Sequence, residues 1–71
     1  MLPDMTPVTS SNVELVGYNE ETKELFVSFK NNVTYKYLEV PEDEYDNLLG
    51  AESVGKYLNQ HIKPFYTVER I

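Results

Sequence analysis

The sequence predicts an α+β domain, a three-stranded antiparallel β-meander followed by two short helices packed on one face, with a candidate short strand at the C-terminus. Three observations predict it. Leu25-Phe26-Val27-Ser28-Phe29-Lys30 alternates with the two-residue period of a half-buried strand, and Asn31-Asn32 follows it as a hairpin turn. At Val40-Pro41 the pattern changes abruptly, because proline ends a ladder but suits the first turn of a helix. At Ser53 a second helical pattern starts behind a good capping residue.

Taken in order, residues 1–9 carry two prolines and read as a flexible lead-in, with Val8 touching the body. Residues 10–71 form the domain. After the polar Ser10-Ser11-Asn12, Val13-Glu14-Leu15-Val16 alternates as a first strand, which Gly17-Tyr18 ends or bulges. Asn19-Glu20-Glu21-Thr22-Lys23 is a turn-rich loop before the clear strand at 25–30. Residues 33–40 return as the third strand. A two-residue turn sets Tyr35 opposite Ser28 and Tyr37 opposite Phe26. A three-residue bulged turn slips the pairing by one and sends both tyrosines to the face of Leu25, Val27 and Phe29. Both registers fit the sequence.

Past Pro41, Glu42, Asp43 and Glu44 sit where a helix dipole favours negative charge, and Tyr45, Leu48 and Leu49 form an i, i+3, i+4 stripe. Gly50 is a natural stop. The second helix turns Val54, Tyr57, Leu58 and Ile62 inward and closes at Pro64. Phe65-Tyr66-Thr67-Val68 is β-prone and is the candidate last strand.

Composition narrows the function. Seventy-one residues make one domain, and a chain this short hides only about 60% of its unfolded surface, so self-association is a reasonable source of added stability. There is no cysteine for a disulfide or a thiolate metal site. Twelve acids against six bases give a net charge of −6, which repels phosphate backbones at long range while leaving room for a local basic patch. No apolar run is long enough to span a bilayer, and the N-terminus lacks the pattern of a secretory signal, so the expected location is the cytoplasm, away from membranes.

The order and spacing of several small signals resemble the KTSC domain. They are Val8 with Ser10-Ser11, Gly17-Tyr18, Leu25-x-Val27-x-Phe29, Tyr35-x-Tyr37 and Val40-Pro41, then Tyr45 with Leu48, the run Ala51-x-Ser53-x-Gly55-x-Tyr57-x-Asn59, and finally Ile62 and Tyr66. That family is named for its place at the C-terminus of some lysyl-tRNA synthetases, and it also stands alone in bacterial and phage proteins. Its hairpin usually carries glycine where this chain has Asn32, and asparagine takes the same backbone shape. The resemblance implies a non-catalytic binding module, with RNA as the suggested ligand.

The candidate binding residues are therefore Tyr35 and Tyr37 as a stacking platform, with Lys36, Lys56 or Lys63 beside it to meet phosphate. The plainer expectation is that strand tyrosines pack under the helices. Ser53, Gly55 and Lys56 open a helix in a way that suits an anion, with Asn59 further along the same run; the plainer expectation makes Ser53 an ordinary cap and Gly55 a packing gap. His61 is the lone histidine and has no nucleophile or second ligand pattern around it, so neither an enzyme, nor a metal site, nor a cofactor is expected. Alternative functions are a small acidic protein-interaction or phage host-modulating module, and an oligomer holding a small phosphorylated ligand such as a nucleotide.

Overall fold

The computed structural model describes residues 3–71; the first two residues of the expected lead-in lie outside them. Five antiparallel strands stand in chain order: β1 (Thr6–Pro7), β2 (Val13–Asn19), β3 (Glu24–Phe29), β4 (Thr34–Tyr37) and β5 (Val68–Arg70). The expected meander is the centre of this sheet, and two short edge strands extend it. β1 comes from the segment read as lead-in: Thr6 pairs with Val16 and Pro7 with Leu15. Proline is tolerated there because an edge strand can leave one backbone side unpaired. The last strand falls at Val68–Arg70, a little after the expected stretch, because residues 63–65 are still turning out of the second helix.

β2 is longer than its sequence pattern implied and runs through Gly17 and Tyr18 without stopping. Its irregularity lies earlier. Val13 pairs with Phe29 but Leu15 with Ser28, so Glu14 is the extra residue of a bulge. The bulge shifts the alternation and sends Val13 and Val16, three apart, into the core. Gly17 is needed for a close approach: a Cβ there would stand 2.9 Å from the Asp4 carbonyl oxygen and 2.5 Å from the Met5 sulfur.

The β3–β4 hairpin takes the three-residue turn. Phe29 N–H donates to the Val33 carbonyl at 2.8 Å, Asn32 N–H donates to the Phe29 carbonyl at 3.0 Å, and Asn32 adopts φ 68°. Asparagine thus fills the left-handed position that glycine would otherwise take. Tyr37 lies opposite Leu25 and Tyr35 opposite Val27, so both rings share the helix-facing side of the sheet.

Helix α1 (Glu42–Gly50) starts directly after Pro41 with three acids in its first turn. Leu48 is fully buried, whereas Leu49 is 42% exposed, so the expected stripe narrows to Tyr45 and Leu48. Ser53 caps α2 (Val54–Tyr57) by accepting the Lys56 N–H at 3.3 Å. The helix then widens into a π-helical stretch, Leu58–Ile62, closed by the Lys63 N–H on the Leu58 carbonyl at 2.8 Å. Val54, Leu58 and Ile62 meet Leu48, Val40, Leu25, Val27 and Tyr37 in one core between helices and sheet. Glu44 ties the layer together, its carboxylate accepting hydrogen bonds from the hydroxyls of Tyr57 and Tyr66. Among the described residues no helix is long and apolar enough to cross a membrane.

Candidate functional site

Two of the clefts among the described residues are lined by paired aromatic rings. The first lies where β3, β4 and β5 emerge from under the second helix. Phe29 and Tyr35 meet edge to face with ring centroids 5.7 Å apart. With Tyr37, Lys63 and Val68 they line a groove of about 170 Å³. Arg70 pairs with Tyr35 across the β4–β5 ladder, and directly opposed residues project from the same face. Lys63 and Arg70 form no ion pair with any carboxylate among the described residues.

Within this groove the two expected platform residues play different parts. Tyr35 is half-buried and keeps part of its ring at the surface, while Tyr37 is only 1% exposed and belongs to the core. Burial first, and then the neighbouring Tyr35, pushes the Tyr37 hydroxyl above its ordinary pKa. A pair of outward-facing rings at 35 and 37 therefore does not form. Register explains it: the bulged turn sends both to the helix side, and the helical layer covers the one farther from the hairpin.

Lys36 lies on the opposite face of the sheet. Its ammonium sits 3.1 Å from Glu24 and 3.4 Å from Glu69, and these hydrogen-bonded carboxylates, Glu24 above all, raise its pKa. It does not reach the tyrosine groove. Of the three lysines expected beside the platform, Lys63 is the one brought there.

The Ser53 cluster has a structural explanation for two of its members. Ser53 is the cap described above, and its oxygen already takes the Lys56 N–H. A Cβ on Gly55 would sit 3.0 Å from Asn12 Oδ1 and 3.5 Å from Ser10 Oγ, so the glycine makes room for the 10–12 turn. Lys56 and Asn59 are exposed. His61 stacks obliquely on Tyr57, centroids 4.6 Å apart. Among the described residues no three His, Cys, Asp or Glu side chains gather as a metal site would require.

The second cleft is larger, about 530 Å³, and lies at the other end of the core, where the β2–β3 loop meets the start of α1. Tyr18 and Tyr45 stack there at 5.2 Å and 15°, rimmed by Glu20, Glu21, Glu42 and Asp46. Tyr18 donates its hydroxyl hydrogen to the Val40 carbonyl. Burial, followed by Glu42, Glu20 and Asp43, raises its pKa.

Phe29, Val68 and Arg70 had no part in the expected site. Phe29 reads as an ordinary core position, and nothing in the irregular C-terminal stretch marks Arg70 as the partner of Tyr35.

The architecture is that of a small α+β module with its helices on one side of an antiparallel sheet and an aromatic cleft at each end. The chain belongs to the KTSC domain family, whose model matches residues 9–66. A protein of Tsukamurella paurometabola is 43% identical over 60 residues, covering 84% of this chain and 90% of the relative. One from Stutzerimonas stutzeri is 38% identical over 55 residues, 78% of each chain. The crystal structure of a KTSC domain protein from Yersinia pestis superposes with a TM-score of 0.92 at 32% identity, covering 96% of both chains.

Proposed function

We propose that this KTSC domain is a non-catalytic binding module that holds single-stranded RNA at the Phe29–Tyr35 groove. One observation carries the reading: the partly exposed Tyr35 shares its groove with Lys63 and has Arg70 as its cross-strand partner, and no acid neutralises either cation among the described residues. A base lies on the Tyr35 face, and the cations meet the flanking phosphates, the combination that single-strand binders use. The groove falls below the size of an ordinary small-molecule pocket, which favours one ring at a time over a whole folded ligand. Long-range repulsion from the net charge of −6 makes the affinity modest.

Fluorescence polarisation with a short single-stranded RNA and with tRNA at low salt tests the reading. Tyr35→Ala is expected to weaken binding about five-fold to a hundred-fold, the range of one lost stacking contact, while Tyr35→Phe retains it. Two phosphate contacts give a slope of log K against log salt near about −1.4, and Lys63→Ala removes roughly half of it. Absence of binding at tens of micromolar protein, or an unchanged affinity in Tyr35→Ala, overturns the reading.

A second reading has one observation in its favour. Phe65 is 72% exposed, and Val68 on the edge strand β5 and Ile71 just after it are exposed apolar side chains as well, as in a protein-docking edge. Phe65→Ser distinguishes the two: it leaves RNA binding intact and abolishes any self-association seen by sedimentation.

A further inference from the structure

We propose that the Tyr18–Tyr45 cleft is a receptor for an arginine side chain presented by an extended basic segment of a partner protein. At about 530 Å³ the cleft is within the range of small-ligand sites, and its wall is a pair of half-buried, nearly parallel phenol rings. Tyr18 spends its hydroxyl hydrogen on the Val40 carbonyl, so it has no donor left for an incoming group, and what the stacked pair contributes is aromatic surface. Glu20, Glu21, Glu42 and Asp46 rim the opening, and no described lysine or arginine pairs with any of them. The cleft thus combines two stacked phenol rings with four carboxylates that no cation of the described chain neutralises.

The arrangement selects its occupant. A compact metal ion needs carboxylates that converge, and among the described residues no three acidic or imidazole groups do so. An anion is repelled. A planar, weakly hydrated guanidinium satisfies both features, stacking on a tyrosine face while its fork of donors reaches the carboxylates. A lysine ammonium meets the charge but gains less from the stack. The cleft shares no residue with the Phe29–Tyr35 groove, so this inference stands or falls independently of RNA binding.

The test uses the full chain labelled with nitrogen-15 and two blocked peptides, Gly-Arg-Gly-Arg-Gly and Gly-Lys-Gly-Lys-Gly, titrated by NMR. The expected result is amide shifts confined to residues around Tyr18, Glu20, Glu42, Tyr45 and Asp46, with the arginine peptide about three-fold tighter than the lysine peptide. Glu42→Gln and Asp46→Asn, both at exposed positions, each weaken the arginine peptide about three-fold, whereas Glu52→Gln, outside the cleft, leaves it unchanged. Equal affinity of the two peptides together with an equal response to Glu52→Gln would mean diffuse attraction to an acidic protein and would overturn the proposal. Shifts centred elsewhere, or no shifts at millimolar peptide, overturn it as well.

Discussion

The two ends of the aromatic layer are built alike and charged oppositely. At one end Tyr35 meets Phe29 with Lys63 and Arg70 beside it; at the other Tyr18 meets Tyr45 beneath Glu20, Glu21, Glu42 and Asp46. The difference lies in which loops and strands supply the rim. The β2–β3 loop and the acid-rich first turn of α1 close one end, and the helix exit with β5 closes the other. A strongly acidic chain can thus keep one local surface with unpaired cations, since charge acts over roughly 10 Å in ordinary salt and the net value says little about any one cleft.

The largest effect expected separates the two tyrosines of the Tyr-x-Tyr pair. Tyr37 fills the centre of the core, so Tyr37→Ala should cost about 3–5 kcal/mol. That is comparable with the whole stability of a small domain, and thermal melts should show little folded protein. Tyr35→Ala should melt within several degrees of the parent while losing RNA. If the two variants behave alike, the division between a structural and a binding tyrosine fails.

How far this division could be read from the sequence depends on one turn. The strands, the proline-started helix and the Ser53 cap follow from period, proline geometry and capping chemistry, each local enough to be legible. Register is not local. Asn31-Asn32 suits either turn, and only the folded hairpin, with Asn32 at φ 68°, decides that Tyr35 and Tyr37 face the helices and Lys36 the other side. The edge strands were hard to read for a different reason. Thr6–Pro7 and Val68–Arg70 are short and exposed, so no alternation marks them. Gly17-Tyr18 reads as the end of a strand or a bulge in it, whereas the glycine marks the place where the lead-in crosses close to the sheet.

An intermediate effect tests whether the acidic end influences the basic one. Reversing two rim charges with Glu42→Lys and Asp46→Lys should raise RNA affinity a few-fold at low salt. The gain should shrink near physiological salt, because Tyr18 and Tyr37 stand in one cross-strand row about 10 Å apart with Leu25 between them, and the Debye length is then about 8 Å. A gain that survives high salt would mean that RNA touches the acidic end directly, and the contrast between the ends would need redrawing.

The smallest effect concerns the cation that serves neither end. Lys36 is held between Glu24 and Glu69 on the far face of the sheet, so Lys36→Met should leave RNA binding unchanged and alter only the dependence of stability on pH. A hydrogen bond from Thr22, followed by Lys36, lowers the Glu24 pKa below the ordinary carboxylate value. A depressed carboxylate contributes stability above its unfolded pKa and loses it as pH falls through the folded one. Lys36 is raised, so its share is complete below the ordinary lysine pKa and fades as pH rises through the folded value. Both shares are present at neutral pH. Melting temperatures followed from neutrality down through the carboxylate range should therefore fall less steeply in Lys36→Met than in the parent. The Thr22 hydrogen bond keeps part of the slope, because it survives the substitution. An unchanged acid limb would mean that this exposed pair contributes nothing, as many surface pairs do. A loss of RNA binding in the same variant would instead move the nucleic-acid surface to the far side of the sheet.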